Sequence, residues 1–372
     1  MTLQPRNSAS NLSFFTENPH SSSFTHTSVE GDRSMSRHIR FASWALTLFL
    51  LTLAVPLPAQ QKPQWMPGQV GLNAGIQPSP GFSYSNITVG YYSSTFNGPQ
   101  GKAIPATGSY NVWAAESLLI YVPNFTFFGG HLGAMAILTP ASGSLDADLQ
   151  IPTAGNTNLS GAAGGSGLAD FFVQPFTLAW HLPRADIQVA DGLMCPTGRY
   201  SPGATNNVGT GYLGNHQMTG TTLYITKNKG TSANLFTDWE VHGSRPGTYN
   251  TSKTPGQAFT DEWGFGQVLP LKKNFSQLLQ VGVIGYDQWQ ITANGGTVPV
   301  GSTGLTAPAR LLPYYQVHAA GAQATYIMPA KNISLNFKYE HEYDAQSHFI
   351  GSTFVFGGAW TLRIPRAPVP KS

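Results

Sequence analysis

Beyond Val55 the chain holds no run of about 18 consecutive apolar residues, so any bilayer crossing by that part must use strands rather than a helix. Short segments of alternating polar and apolar residues recur there instead, each bounded by Gly, Pro or Asn, as hairpins require. Charged residues make up only 10% of the sequence, against about a quarter in ordinary soluble domains. With 41 Gly and 15 Tyr, this is the interleaved composition of a wall with one apolar and one wet face.

About twelve such segments run from 84–94 to 348–363. The connections between them alternate in length. Short ones fall at 123–124, 182–184, 227–231, 270–274 and 329–331, and long ones at 95–109, 139–167, 197–216, 244–257 and 291–310. Only the turn near 344–347 breaks the pattern. Short periplasmic turns and longer external loops are the habit of outer-membrane barrels, and both barrel ends then fall on the periplasmic side. The sequence therefore predicts an all-β fold, a transmembrane antiparallel up-and-down β-barrel of bacterial outer-membrane type. A soluble β-sandwich shares the alternation, but segments near a dozen residues with so few charges suit the membrane better.

Upstream, Arg37, His38 and Arg40 precede an apolar stretch over 44–55 and then Pro56-Leu57-Pro58-Ala59, the order of an export signal with cleavage after Ala59. The expected organisation is an N-terminal extension at 1–34, with Met35 as the true start, and a signal peptide at 35–59. A periplasmic lead-in at 60–82, the barrel at 83–363 and a tail at 364–372 follow.

A formal charge of +3 from scattered Lys and Arg cannot form a phosphate-tracking stripe, so nucleic acid is not an expected partner. Cys195 is the only cysteine and forms no intramolecular disulfide. Ten His without linear metal-ligand spacing, and no phosphate-binding Gly loop, leave no metal or cofactor assigned. Gly164-Gly165-Ser166-Gly167 reads as a flexible loop end rather than a nucleophile elbow. His242-Gly243-Ser244, with Asn250 close behind, is faintly similar to a barrel lipase site, but His242 falls in the inward phase.

Strand alternation sorts the remaining side chains. Asn336, Lys338, Glu340, Glu342 and Asp344 share one phase, opposite Leu335, Phe337 and Tyr339. Asn234, Asp238, Glu240 and His242 share another, opposite Leu235 and Trp239, and Gln280 opposes Leu279 and Val281. These rows should face the lumen. They either set the preference of a pore or form an internal network with Lys338 and Arg310 or Arg363. Trp113, Trp180, Trp239, Trp263, Trp289 and Trp360 suit interfacial girdles, whereas Phe172, Phe176 and Trp180 alternatively line an apolar path.

Ordered motifs span most of this region. They are Gly167-Leu168-Ala169-Asp170 through Gln174-Pro175 to Trp180-His181, then Pro196-Thr197-Gly198-Arg199-Tyr200, then Gly285-Tyr286-Asp287-Gln288, then Lys338-Tyr339-Glu340 with Glu342 and Gly351. In their order they resemble the outer-membrane family named for the meta-pathway of phenol degradation, transporters of bacterial hydrocarbon-degrading clusters. The resemblance implies a barrel for passive uptake of small hydrophobic compounds, aromatic ones among them. Its expected partners are outer-membrane lipid, such a solute and the outer-membrane assembly machinery. Candidate lumen or solute-path residues are Asp170, Gln174, Asp238, Glu240, Gln280, Lys338, Glu340, Glu342 and Asp344. One departure is that Arg363 is followed by a Pro-rich tail, where such barrels usually end on an aromatic residue. The alternatives are a structural or adhesion barrel without transport and, third, a lipase-like enzyme.

Overall fold

The computed structural model describes residues 63–151, 157–300 and 303–363. The expected extension, signal peptide and tail lie outside the described residues. Strands in chain order are β1 (Gly81–Asn97), β2 (Ala106–Val122), β3 (Thr126–Phe127), β4 (Gly130–Leu138), β5 (Pro140–Ile151), β6 (Thr157–Leu168), β7 (Phe171–His181), β8 (Ala185–Cys195), β9 (Gly214–Tyr224) and β10 (Thr231–His242). They continue as β11 (Arg245–Pro246), β12 (Ser252–Thr254), β13 (Ala258–Pro270), β14 (Leu278–Gln290), β15 (Gly295–Pro299), β16 (Thr306–Pro308), β17 (Gln316–Met328), β18 (Ile333–Gln346) and β19 (His348–Arg363).

Twelve antiparallel strands form the wall, in the order β1, β2, β4, β7, β8, β9, β10, β13, β14, β17, β18, β19. Strand β19 returns along the whole of β1, from Asn97↔His348 to Gly81↔Arg363, and this pairing closes the cylinder. Closure pairs each of the twelve wall strands on both sides, the condition that lipid imposes on backbone N–H and C=O groups. All twelve alternating segments expected from the sequence are wall strands, and the even count follows.

The reading of 139–167 as a loop is corrected. Residues 140–151 and 157–168 are strands β5 and β6, paired from Pro140↔Leu168 to Ile151↔Thr157. Strand β5 also continues the ladder on β2, from Ala114↔Ala141 to Ala106↔Leu149. The hairpin therefore prolongs the wall beyond the break between β4 and β5. Its Gly, Ser and Ala residues carry no apolar alternation, which hid it in the sequence. Gly164 to Gly167 accordingly lie in a strand and not at a loop end. A second small sheet, β11-β12-β15-β16, joins two of the long connections to each other.

Alternation decides which side chains meet lipid and which meet the interior. Along β10 every second residue from Ser232 to His242 is buried, while Leu235 and Trp239 are exposed. Phe82, Trp113, Leu119, Phe265, Val283, Phe337, Phe356 and Trp360 make up part of an apolar outer belt. Burying such a belt in hydrocarbon stabilises by roughly 25 cal/mol per Å² of apolar surface removed from water.

Candidate functional site

Residues 64–77 do not form a lead-in outside the wall, as the sequence suggested. They run down the inside of the cylinder as a strap, from the end bearing the long connections toward the end where β1 begins. Near the first end, Gln64 donates its backbone N–H to Glu240 (2.7 Å) and its side-chain amide to Thr210 Oγ1 (2.8 Å). Halfway down, Glu262 accepts Trp65 Nε1–H (3.0 Å), Val70 N–H (2.7 Å) and Gly71 N–H (3.2 Å). Leu72 N–H reaches Gln323 at 3.0 Å. Farther on, Asn73 pairs side chain to side chain with Gln280 through two bonds of 2.7 and 2.9 Å, and Gly75 N–H reaches Thr222 Oγ1 at 3.0 Å.

A segment without strand or helix must find partners for its backbone elsewhere, and here the inward polar rows supply them. Close approach fixes two glycines: a Cβ on Gly220 would lie 2.0 Å from Ala74 O, and one on Gly75 2.0 Å from Asp186 O. Apolar contact completes the seat. Trp65 and Val70 pack on a buried cluster of Ala74, Ile137, Phe172, Met218 and Phe236.

The candidate residues separate into three groups. Asp238, Glu240, Gln280, Lys338, Glu340 and Glu342 are all buried on the lumen side. Lys338 donates to the carbonyls of Gly68 and Gln69, so it serves the strap rather than a network with Arg310, which is exposed. Glu342 accepts Tyr91 OH (2.7 Å), Tyr286 OH (2.9 Å) and Gly351 N–H (2.6 Å).

Asp170 and Gln174 are buried, and each is bonded at an irregular point of the wall. Asp170 clips the β6–β7 break to the connection after β8, accepting from Gly198 N–H (2.9 Å), Thr210 N–H (2.7 Å) and Thr210 Oγ1–H (2.6 Å). Gln174 sits at a register irregularity of β7 and donates to Thr177 Oγ1.

Asp344 is not in the lumen. A β-bulge opposite His318/Ala319 shifts the register of β18, so Ala345 turns inward and Asp344 is exposed. The extra residue reverses the phase of everything after it. Of the aromatic trio, Phe172 is buried in the lumen cluster, whereas Phe176 is exposed and Trp180 donates to Phe128 O. The lipase-like pairing does not form, because His242 bonds Gly256 O and Glu240, and Ser244 bonds Thr254.

Sequence reasoning missed Glu262, Gln323 and His216, all buried on the lumen side. Glu262 was findable: it alternates with Asp261 and Trp263, and its neighbours in phase, Thr260 and Gly264, are also buried. The motif Tyr286-Asp287-Gln288 serves two faces in turn. Tyr286 and Gln288 point inward to Glu342 and Thr260, while Asp287 pairs on the outer face with His318 (2.5 Å) and Trp263 Nε1–H (3.0 Å).

Between strap and wall lies a cavity of about 110 Å³, lined by Trp65, Met66 and Pro67 on one side and Tyr91, Tyr110 and Tyr286 on the other. The bonds from Tyr91 and Tyr286 to Glu342 hold two of the three tyrosyl rings in place. An engineered apolar cavity of ~150 Å³ is enough to bind benzene. At about 110 Å³ this space is smaller than that, so it takes nothing larger than a single ring without movement of the strap.

In fold the chain is similar to known barrels. The COG4313 outer membrane channel from Pseudomonas putida F1 matches with a TM-score of 0.59 at 11% identity, over 80% of this chain and 100% of that one. The β domain of the Bordetella autotransporter BrkA matches at TM-score 0.46 and 10% identity, over 76% of this chain and 100% of that one. The TodX monoaromatic hydrocarbon channel, in a deletion mutant, matches at 0.40 and 10% identity, over 78% and 92%. No curated protein matches the sequence. The first of these likenesses supports the closed outer-membrane barrel fold and nothing finer. The family assignment rests on residues 93–356, which match from β1 to β19 and contain every motif named above. The chain belongs to the family described as "Putative MetA-pathway of phenol degradation".

Proposed function

We propose that the chain is an outer-membrane channel for passive uptake of small hydrophobic compounds, with single-ring aromatics as its preferred size class. The observation that carries this reading is the aromatic-lined cavity between strap and wall, inside a cylinder whose outer belt is apolar. No energy source is required, since a concentration gradient drives diffusion through a weak site of this kind. The description of the family, a pathway of phenol degradation, fits the same class.

On this reading the signal over 35–59 is cleaved after Ala59, outer-membrane lipid surrounds the belt and the outer-membrane assembly machinery inserts the barrel. Edman sequencing of the mature protein should begin at Gln60. Catalysis is no part of the proposal, because His242 and Ser244 are committed to other partners.

The occupied lumen favours one rival, a structural barrel without transport. Uptake of labelled toluene, naphthalene and sucrose by cells with and without the protein separates the two. Toluene should enter faster with the protein than without it, and the other two should not. Equal toluene rates would leave the structural barrel as the better account.

A further inference from the structure

At the long-connection end of the lumen, His216 on β9 stands directly opposite Glu240 on β10, and His242 follows two residues later on the same face. His216, Asp238 and Glu240 are fully buried, and each offers a ligand atom within 4.8 Å of the others; His242 lies outside that trio and is tied to it through Glu240, 3.1 Å from its Nε2. Two carboxylates out of water need positive compensation. Among the described residues no Lys or Arg lies within 4 Å of either, and histidines are their only ion-pair partners.

The hydrogen bonds fix how both imidazoles face this space. Gly256 O can only accept, so His242 Nδ1 carries a hydrogen toward it (2.9 Å). In neutral His242, Nε2 then presents a lone pair 3.1 Å from Glu240 Oε2, an oxygen that can only accept. Likewise His216 Nδ1 meets Asp238 Oδ2 at 2.8 Å, and its buried Nε2 has no partner. A carboxylate behind one ring nitrogen and a free lone pair on the other is the arrangement that orients a metal-binding histidine. The strap adds a fourth donor. Gln64 Oε1 is buried without a partner, and it and His216 Nε2 both face the space left by the missing Cβ of Gly214.

We propose that His216 Nε2, Glu240, His242 Nε2 and Gln64 Oε1 form a site for one divalent first-row transition-metal ion, with Asp238 as the positioning residue behind His216. Two imidazoles, a carboxylate and an amide oxygen are a borderline donor set that suits Zn²⁺, Ni²⁺ or Cu²⁺ better than Ca²⁺ or Mg²⁺. Ligands about 2.1 Å from an ion and 3.1 Å from each other subtend about 95° at it, within the range of tetrahedral-to-octahedral sites. The ion would answer the charge of two buried carboxylates and tie the strap to β9 and β10. Glu-x-His along a strand with His opposite is not a linear motif, which is why spacing alone did not show it.

The test uses untagged mature protein, stripped with a chelator and titrated with Co²⁺. Wild type should develop visible d–d absorption saturating at one ion per barrel and reversed by Zn²⁺. Zn²⁺ should also slow amide exchange at Gln64 and Trp65. His216→Ala and His242→Gln should abolish the signal. Asp238→Asn should weaken binding by about 10–100-fold. The outward-facing His341→Gln should leave it unchanged, and heat-modifiable mobility on gels reports that each variant is folded. Wild-type binding no tighter than that of the folded His216→Ala/His242→Gln pair would overturn the site and leave a plain imidazolium–carboxylate pair.

Discussion

Replacing Glu262 by Gln tests whether the strap is held by the wall. One carboxylate accepts three N–H groups from the strap, those of Val70 (2.7 Å), Trp65 Nε1 (3.0 Å) and Gly71 (3.2 Å). A hydrogen bond to a charged group contributes ~1.5–3 kcal/mol net, and one between neutral groups ~0.5–1.5. Glutamine keeps the shape but loses the charge, and it turns one acceptor position into a donor facing N–H groups. Weakening three bonds by about 1 kcal/mol each favours strap release by about 3 kcal/mol, roughly a hundredfold in the equilibrium. Hydrogen exchange read by mass spectrometry in micelles should show residues 64–77 exchanging about a hundredfold faster in Glu262→Gln. Wall strand β14 should keep its protection. Equal strap exchange in the two proteins would refute the assignment of Glu262 as its anchor.

Three further outcomes follow from other parts of the structure. Asp170→Ala leaves Gly198 N–H and Thr210 N–H without their acceptor, at ~1–3 kcal/mol each, so trypsin should cut after Arg199 markedly faster than in wild type. Trp65→Ala removes an aromatic ring packed on Phe236 (5.3 Å between centroids) and one wall of the cavity, and should raise ion conductance while lowering selectivity for toluene over naphthalene. Burial, and then the charge of Arg245, push the Lys253 ammonium in the loop sheet down from 10.5 to about 7. Between those values the unfolded loop binds the extra proton, so the stability of β11-β12-β15-β16 should rise as pH increases from about 7 to 10.5. Proteolysis across that range should slow, and Lys253→Met should flatten the dependence.

The wall was legible because its two faces meet different solvents, so one residue in two reports its own side. That logic placed Asp238, Glu240, Gln280, Lys338, Glu340 and Glu342 in the lumen. It failed where the period is broken or uninformative. The bulge in β18 turns Asp344 outward, and the small residues of β5 and β6 carry no polarity contrast. The strap was illegible for a different reason. It has no period of its own, and its partners lie far along the chain: Leu72 and Gln323 are 251 residues apart. One signal was present in the composition of the inner face, where buried carboxylates outnumber buried lysines. Such a face must meet donors from another part of the chain, and the Pro- and Gly-rich segment before β1 supplies them.

On the proposed function, a closed cylinder spans the outer membrane and residues 64–77 set what passes through it. Planar-bilayer recording of mature protein, beside a variant that starts at Pro78 and is shown by heat-modifiable mobility to be folded, tests it directly. Small current steps are expected with the strap and several-fold larger ones without it. Equal steps, or no current from either protein, would contradict it.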